Sequence, residues 1–265
     1  MRNIRSVVMV SFFALMAASQ ARAQVAANHF KDANNSIWLS AGGSLLNYKE
    51  RLPPTVLNDS ERGTLPSLAA GLSVQSDRGF FLTVGGEYEM GDITYRGALL
   101  ATPLVPYTSQ TTETTYAINA QVGWTYPLAS NMQFIPYIEA GYRNWERELS
   151  ASQVETYSHY DVMGGVLLQY APTAKTLLNV YAAAGQTQSP SMEFNNLTYD
   201  LGQNMIYKTG AKFTYAYGRK VDLFTTLDYQ YFNYGRSQTQ PDTSYEPPSF
   251  TSELTARVGI AYRFR

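Results

Sequence analysis

The sequence predicts an all-β protein, a transmembrane antiparallel up-and-down β-barrel of ten strands, with eight as the alternative count. Three observations carry that expectation. Apolar and polar residues alternate with period two through most of the chain, which places them on opposite faces of half-buried strands. Tight turns and long polar connections alternate between those strands. Beyond the N-terminal segment there is no run of 18 or more apolar residues, so helical spans are excluded. The composition agrees. Only 15% of the 265 residues are charged, 14% are aromatic, and Tyr alone occurs 21 times. About 25% charged is usual for soluble domains.

Residues 1–23 read as an export signal. Arg2 and Arg5 precede an apolar stretch from Val7 to Ala18, and Ala21-Arg22-Ala23 has small residues where a signal peptidase reads them. Cleavage after Ala23 removes Arg2, Arg5 and Arg22 and no acid, which takes the formal net charge from −1 to −4. Residues 24–34 read as a flexible periplasmic leader, and 35–265 as the barrel. The strands expected in order are 35–49, 63–76, 79–96, 111–126, 132–148, 154–170, 175–188, 203–217, 220–236 and 250–264. The last is the clearest. Leu254, Ala256, Val258, Ile260, Tyr262 and Phe264 alternate with Glu253, Thr255, Arg257, Gly259, Ala261 and Arg263. Tyr116–Tyr126 and Phe80–Met90 repeat the pattern.

The turns after even strands are tight: Ser76–Gly79, Pro127–Asn131, Ala171–Ala174 and Gly218–Lys220. Long polar stretches follow odd strands at 50–62, 97–110, 189–202 and 237–249, with 149–153 as a short exception. Short turns at one end and long loops at the other describe an outer-membrane barrel. A soluble sandwich would bury its apolar face and line its outer face with Lys and Glu. In this chain the apolar face is nearly free of charge over about 9–11 residues per strand, the length of a tilted span.

The outward face collects aromatic residues suited to headgroup girdles: Tyr116, Trp124, Tyr126, Tyr142, Tyr170, Tyr217, Tyr229, Tyr231 and Tyr262. The inward face holds Glu87, Glu89, Glu139, Arg143, Asp161, Lys208, Lys212, Asp222, Asp228, Glu253, Arg257 and Arg263. One Arg or Lys at the lipid midplane costs about 2–4 kcal/mol, which constrains this phase assignment. Both signs are present, and ten strands make a barrel only slightly wider than the kind that side chains fill. The expectation is a lumen mostly occupied by a charged network.

The terminal run Ile260-Ala261-Tyr262-Arg263-Phe264 resembles the closing strand of bacterial outer-membrane β-barrels, whose insertion signal ends in an aromatic residue. Here Arg265 follows Phe264. The resemblance implies Gram-negative outer-membrane localisation and insertion by the barrel-assembly machinery, with Ile260, Tyr262 and Phe264 as the signal. It also implies periplasmic termini, extracellular long loops, and outer-membrane lipid and lipopolysaccharide as surroundings. Ten strands resembles the omptin proteases and Opc-type adhesins; eight would resemble the OmpA/OmpX type.

Catalytic chemistry is poorly supplied. There is no Cys, and His29 and His159 are the only histidines. Omptins use an Asp pair and an Asp-His pair at the extracellular rim. This chain has Glu87 and Glu89 on one strand and His159-Tyr160-Asp161 on another, with no Asp-x-Asp and with the His-Asp order reversed. Ser158 and His159 are adjacent, so they point to opposite faces. No catalytic, cofactor-binding or metal-ligating residue is expected, and the near-neutral charge excludes nucleic acid as a partner. The leading expectation is a non-enzymatic barrel whose extracellular loops serve envelope integrity, surface interaction or adhesion to an extracellular ligand. Loops 97–110 and 237–249 are the expected contact surface. The alternatives are a narrow porin-like channel for small solutes and a rim hydrolase, omptin-like or lipid-modifying, using His159.

Overall fold

The computed structural model describes residues 30–53, 57–99, 102–240 and 244–264. The export signal 1–23 and the first part of the leader lie outside the described residues. Among the described residues there are twelve strands: β1 (Ser36–Glu50), β2 (Ser60–Gln75), β3 (Phe80–Leu99), β4 (Thr102–Trp124), β5 (Tyr126–Ala129), β6 (Met132–Ser150), β7 (Gln153–Thr173), β8 (Thr176–Phe194), β9 (Leu197–Asp200), β10 (Met205–Ala216), β11 (Val221–Tyr234) and β12 (Ser249–Arg263). Two are accessory. β5 continues β4 past Thr125 and pairs with β6, and β9 folds back on the top of β8. The other ten form the wall, each antiparallel to its neighbours in sequence.

The wall closes once, where its first strand meets its last, and β8 reaches β10 past the accessory β9. β1 pairs with β12 from Ser36↔Arg263 to Glu50↔Ser249, and β8 pairs with β10 from Gln186↔Met205 to Thr176↔Tyr215. Closure leaves no free sheet edge at membrane depth, where an unpaired backbone group would meet hydrocarbon. The chain is therefore a closed antiparallel barrel of ten strands.

The outward face follows the period-two pattern. On β3 it runs apolar from Phe80 through Leu82, Val84 and Tyr88 to Met90, then turns polar at Asp92, Thr94 and Arg96. At about 3.4 Å per residue and a tilt of about 40°, that run spans about 26 Å, close to the ~25 Å apolar band of such barrels. Aromatic residues mark its upper border. Tyr88 lies opposite Tyr116, and the ring centroids of Tyr116–Tyr142 and Tyr142–Tyr160 are 6.3 and 5.1 Å apart. Above that border the exposed outward charges begin, with Arg62, Asp92, Arg96, Glu146 and Glu148. Trp124, Tyr126, Tyr170 and Tyr262 are exposed at the other border.

The lumen is filled partly because glycines make room. A Cβ on Gly71 would collide with the Trp38 ring, on Gly165 with Tyr137, and on Gly259 with Phe224. Inward-facing glycines on neighbouring strands thus give large rings a place to lie flat, as close packing in a narrow barrel requires.

Three sequence expectations are corrected. The described residues of 97–110 are strand instead of loop: β3 continues to Leu99 and β4 begins at Thr102 as a paired ribbon. Residues 189–202 are likewise mostly strand, with β8 running to Phe194 and β9 returning across Asn195 and Asn196, both at positive φ (50° and 62°). Asn tolerates that conformation, so the Asn-Asn pair makes a tight hairpin turn. Above the lipid band no hydrocarbon meets the outer face, so the contrast that marks the wall strands weakens: Leu104 to Thr108 are exposed on both faces, whereas Met192, Tyr199 and Leu201 of the second ribbon are buried inward. The third correction concerns the flexible leader. From Phe30 to Ala33 the chain forms a helical turn, and Phe30 is buried against Ala171 and Leu177 at the periplasmic end.

Candidate functional site

Side chains pointing into the barrel form three tiers. The periplasmic tier is made of amides. Asn34 donates to Gln75 Oε1 at 2.7 Å and to Gln169 Oε1 at 2.8 Å, Gln133 donates to Gln169, and Asn35 donates to the Gln75 carbonyl at 3.0 Å. The segment before β1 is thus tied across the barrel to β2, β6 and β7.

The middle tier holds the charges expected on the inward face. Arg143 makes a two-pronged contact with Glu253, and its guanidinium lies 5.3 Å from the Phe232 ring centre. Glu89 is buried beside that pair. Lys208 bridges Glu139 at 2.7 Å and Asp161 at 3.7 Å, and Gln121 donates to the other Glu139 oxygen. Arg257 pairs with Glu87 at 2.9 Å; lower down, at the periplasmic end, Arg263 faces Asp222 at 3.4 Å. Asp228 accepts from the Tyr181 hydroxyl at 2.9 Å. Lys212 is not brought to a carboxylate. Its ammonium lies 4.1 Å from the Phe224 ring centre and 6.0 Å from that of Trp38, a cation–π arrangement. Ile260, Tyr262 and Phe264 face outward and are exposed.

The extracellular tier holds residues that sequence reasoning missed. Arg147, 1% exposed, bonds Glu61 at 2.9 Å, Glu155 at 2.9 Å and the Tyr157 hydroxyl at 3.0 Å, with Glu50 at 3.5 Å. Its guanidinium stacks 4.1 Å from the Tyr48 ring centre. Around it pack Trp145, Tyr157 and Tyr234, all buried, with the last two stacked at 5.7 Å. Trp145 donates its indole N–H to buried Glu113. The signal was present, since Arg147 shares the inward phase of Arg143 on β6. It was hidden because that strand end abuts a turn, where charges are ordinary.

Glu246, on the connection between β11 and β12, completes this tier by accepting from the Tyr157 hydroxyl at 2.5 Å. Burial, reinforced by Glu50 and Glu155, pushes its carboxyl well above the usual range, against the Tyr157 hydrogen bond and Arg147. A raised acid binds its proton more tightly in the docked state. Docking is therefore strongest below the ordinary Glu value of about 4.3 and weakens as pH rises through the raised value. Limited proteolysis around Glu246 is expected to speed up with rising pH in the wild type. Glu246→Gln should flatten that dependence; an equally steep profile in the variant would refute the assignment.

His159 is buried, with Nδ1 2.7 Å from the Tyr234 hydroxyl and the Phe232 ring centre 5.3 Å away. Ser158 turns to the other face, against Ser191 at 3.1 Å, and Asp161 is engaged by Lys208. Among the described residues the imidazole therefore bonds neither a serine nor a carboxylate, and no nucleophile–base pair is assembled there. Among the described residues there is no group of three or more His, Asp or Glu placed to hold a metal ion.

No protein-family model matches the chain, and no curated protein matches it in sequence. Among solved structures the chain is similar to the outer membrane protease OmpT from Escherichia coli, with a TM-score of 0.60 at 10% identity over 87% of this chain and 97% of that one. The fold is that of an outer-membrane β-barrel. Weaker similarities link this barrel to the transport unit of the autotransporter AIDA-I from Escherichia coli (TM-score 0.48, 10% identity, 86% and 90% covered) and to the translocator domain of the autotransporter NalP from Neisseria meningitidis (0.39, 12%, 96% and 98%). At such identities the likeness is one of fold alone.

Proposed function

We propose that this outer-membrane barrel is a closed, non-enzymatic scaffold that holds an extracellular rim for surface interaction and does not conduct solute. The observation that carries the reading is obstruction at both ends of the lumen. The amide tier and the Phe30–Ala33 turn lie across the periplasmic end, and the Arg147 cluster lies across the extracellular end. Between them are two adjoining cavities of about 230 and 160 Å³, both lined by Trp38, Tyr181, Asp228 and Arg257. Several strands also stand well above the lipid band, which favours a scaffold presenting its upper end over a passage across the membrane.

Outer-membrane residence, insertion by the barrel-assembly machinery through Ile260, Tyr262 and Phe264, and contact with lipopolysaccharide belong to the same proposal. The outward position of those three side chains supports it. Planar-bilayer recording of the full chain tests it: no steady single-channel current is expected. A large, persistent conductance would overturn the closed scaffold in favour of the channel reading.

A further inference from the structure

The upper part of β4 has a strand on one side only. From Thr112 downward it lies between β3 and β6, the highest β6 partner being Glu148. β6 then turns at Ser150 into β7. At Thr102 and again from Pro106 to Thr111 the partner is β3 alone, the register shifting between them, so among the described residues the other edge of β4 is open. The opposite edge of the same ribbon is treated differently. Asp59 accepts from the Ala98 amide at 3.3 Å, and the Ser60 hydroxyl donates to the Arg96 carbonyl at 3.3 Å.

Those two bonds fix which β4 groups are free. Residues opposite one another in an antiparallel ladder direct their backbone groups either both toward each other or both away. Ala98 and Arg96 direct theirs away from β4, toward the β2 side. Their partners Pro106 and Thr108 therefore turn theirs away from β3, onto the open edge, and Gln110 follows by period two. Thr108 and Gln110 each present an N–H and a C=O there; Pro106 presents only a C=O.

Edge strands are ordinarily guarded by proline, charge or a covering element. Pro103 and Pro106 guard the tip, but Tyr107–Thr112 contains neither proline nor charge. The ribbon is exposed on both faces, with Leu104 65%, Val105 57% and Tyr107 42% accessible. Its height matters as well. Thr108 lies eight residues beyond Tyr116 at the lipid border, about 20 Å above the apolar band at ~3.4 Å per residue and ~40° tilt.

We propose that this open edge pairs antiparallel with the same edge of a second copy held in an opposing membrane, so that the protein tethers one membrane to another. The free groups are backbone donors and acceptors in strand spacing, and their complement is another extended strand, not lipid, which would leave them unsatisfied. The segment carries no charge to repel its own copy. Juxtaposed with itself around Thr108 it forms a Thr–Thr cross-strand pair, a favourable one. β4 runs from its extracellular tip toward the membrane, so two copies in one membrane run in the same direction. Antiparallel pairing therefore requires the second copy to face the first from across a gap. This inference rests on the surface-interaction reading above and names its partner.

The test reconstitutes the full chain into two differently dyed populations of phosphatidylcholine vesicles and follows tethering by energy transfer. Vesicles that both carry the protein should tether, and protein-bearing vesicles should ignore bare ones. The Thr108 side chain faces solvent, so Thr108→Lys and Thr108→Glu leave the wall intact, as the far-UV spectrum of each variant verifies. Each variant alone should lose tethering through like-charge opposition, and mixing Lys-bearing with Glu-bearing vesicles should restore it. Equal tethering to bare vesicles would overturn the proposal in favour of apolar insertion of the tip. Absence of tethering by the wild type, or no rescue on mixing, would also overturn it. Conductance recorded on the same preparation shows separately whether the closed-scaffold reading stands.

Discussion

Replacing Arg147 with Met is expected to destabilise the extracellular end of the barrel more than any other single substitution there. Among the described residues the guanidinium is the one cation paired with Glu50, Glu61 and Glu155, and the Glu61 side chain has no solvent exposure at all. Removing one partner of a buried ion pair strands the other, at a cost of about 3–5 kcal/mol. Here at least two carboxylates are stranded together, and the stacking over Tyr48 is lost as well. Urea titration of the refolded barrel in detergent should show the loss. It should be deepest at neutral pH and shallower in acid, where the orphaned carboxylates take up protons. Adding Glu61→Gln should recover part of it. An unfolding free energy within about 0.5 kcal/mol of wild type, the range of an ordinary surface substitution, would show that the cluster is not a keystone.

Arg143→Met is expected to produce the second large effect, by a mechanism that a double mutant can isolate. Arg143 and Glu253 are both nearly inaccessible, and Glu89 stands beside them. The single substitution should cost about 3–5 kcal/mol because Glu253 stays behind without its cation. The double variant Arg143→Met/Glu253→Gln should cost less than Arg143→Met alone, since no unpaired charge is then left in place. Additive losses in the urea-derived cycle would mean the two side chains act independently despite their contact.

The strand pattern made the wall legible because lipid outside and a crowded lumen inside impose opposite chemistries on alternate residues. Leu254 to Phe264 could be assigned to faces residue by residue for that reason, and the same phase placed Arg143 and Glu253 in the interior. Within 97–110 and 189–202 the outer face meets water instead of lipid, so the contrast weakens and strand was mistaken for loop. Phe30 and Asn34 were taken for a flexible leader because their partners, Leu177 and Gln169, lie more than a hundred residues away in sequence.

By itself, then, the sequence determined the class of fold, the lipid-facing band and the residues excluded from it, and narrowed the wall to ten strands or eight. These follow from local alternation and the cost of charge in hydrocarbon, which act on each strand separately. Tertiary structure decided who meets whom: Arg143 with Glu253 across 110 positions, Arg147 among carboxylates from β1, β2 and β7, and Glu246 docked on Tyr157. It also decided that the top of β4 has a neighbour on one side only. Ring closure and strand stagger set those contacts, and both depend on how all ten strands register at once.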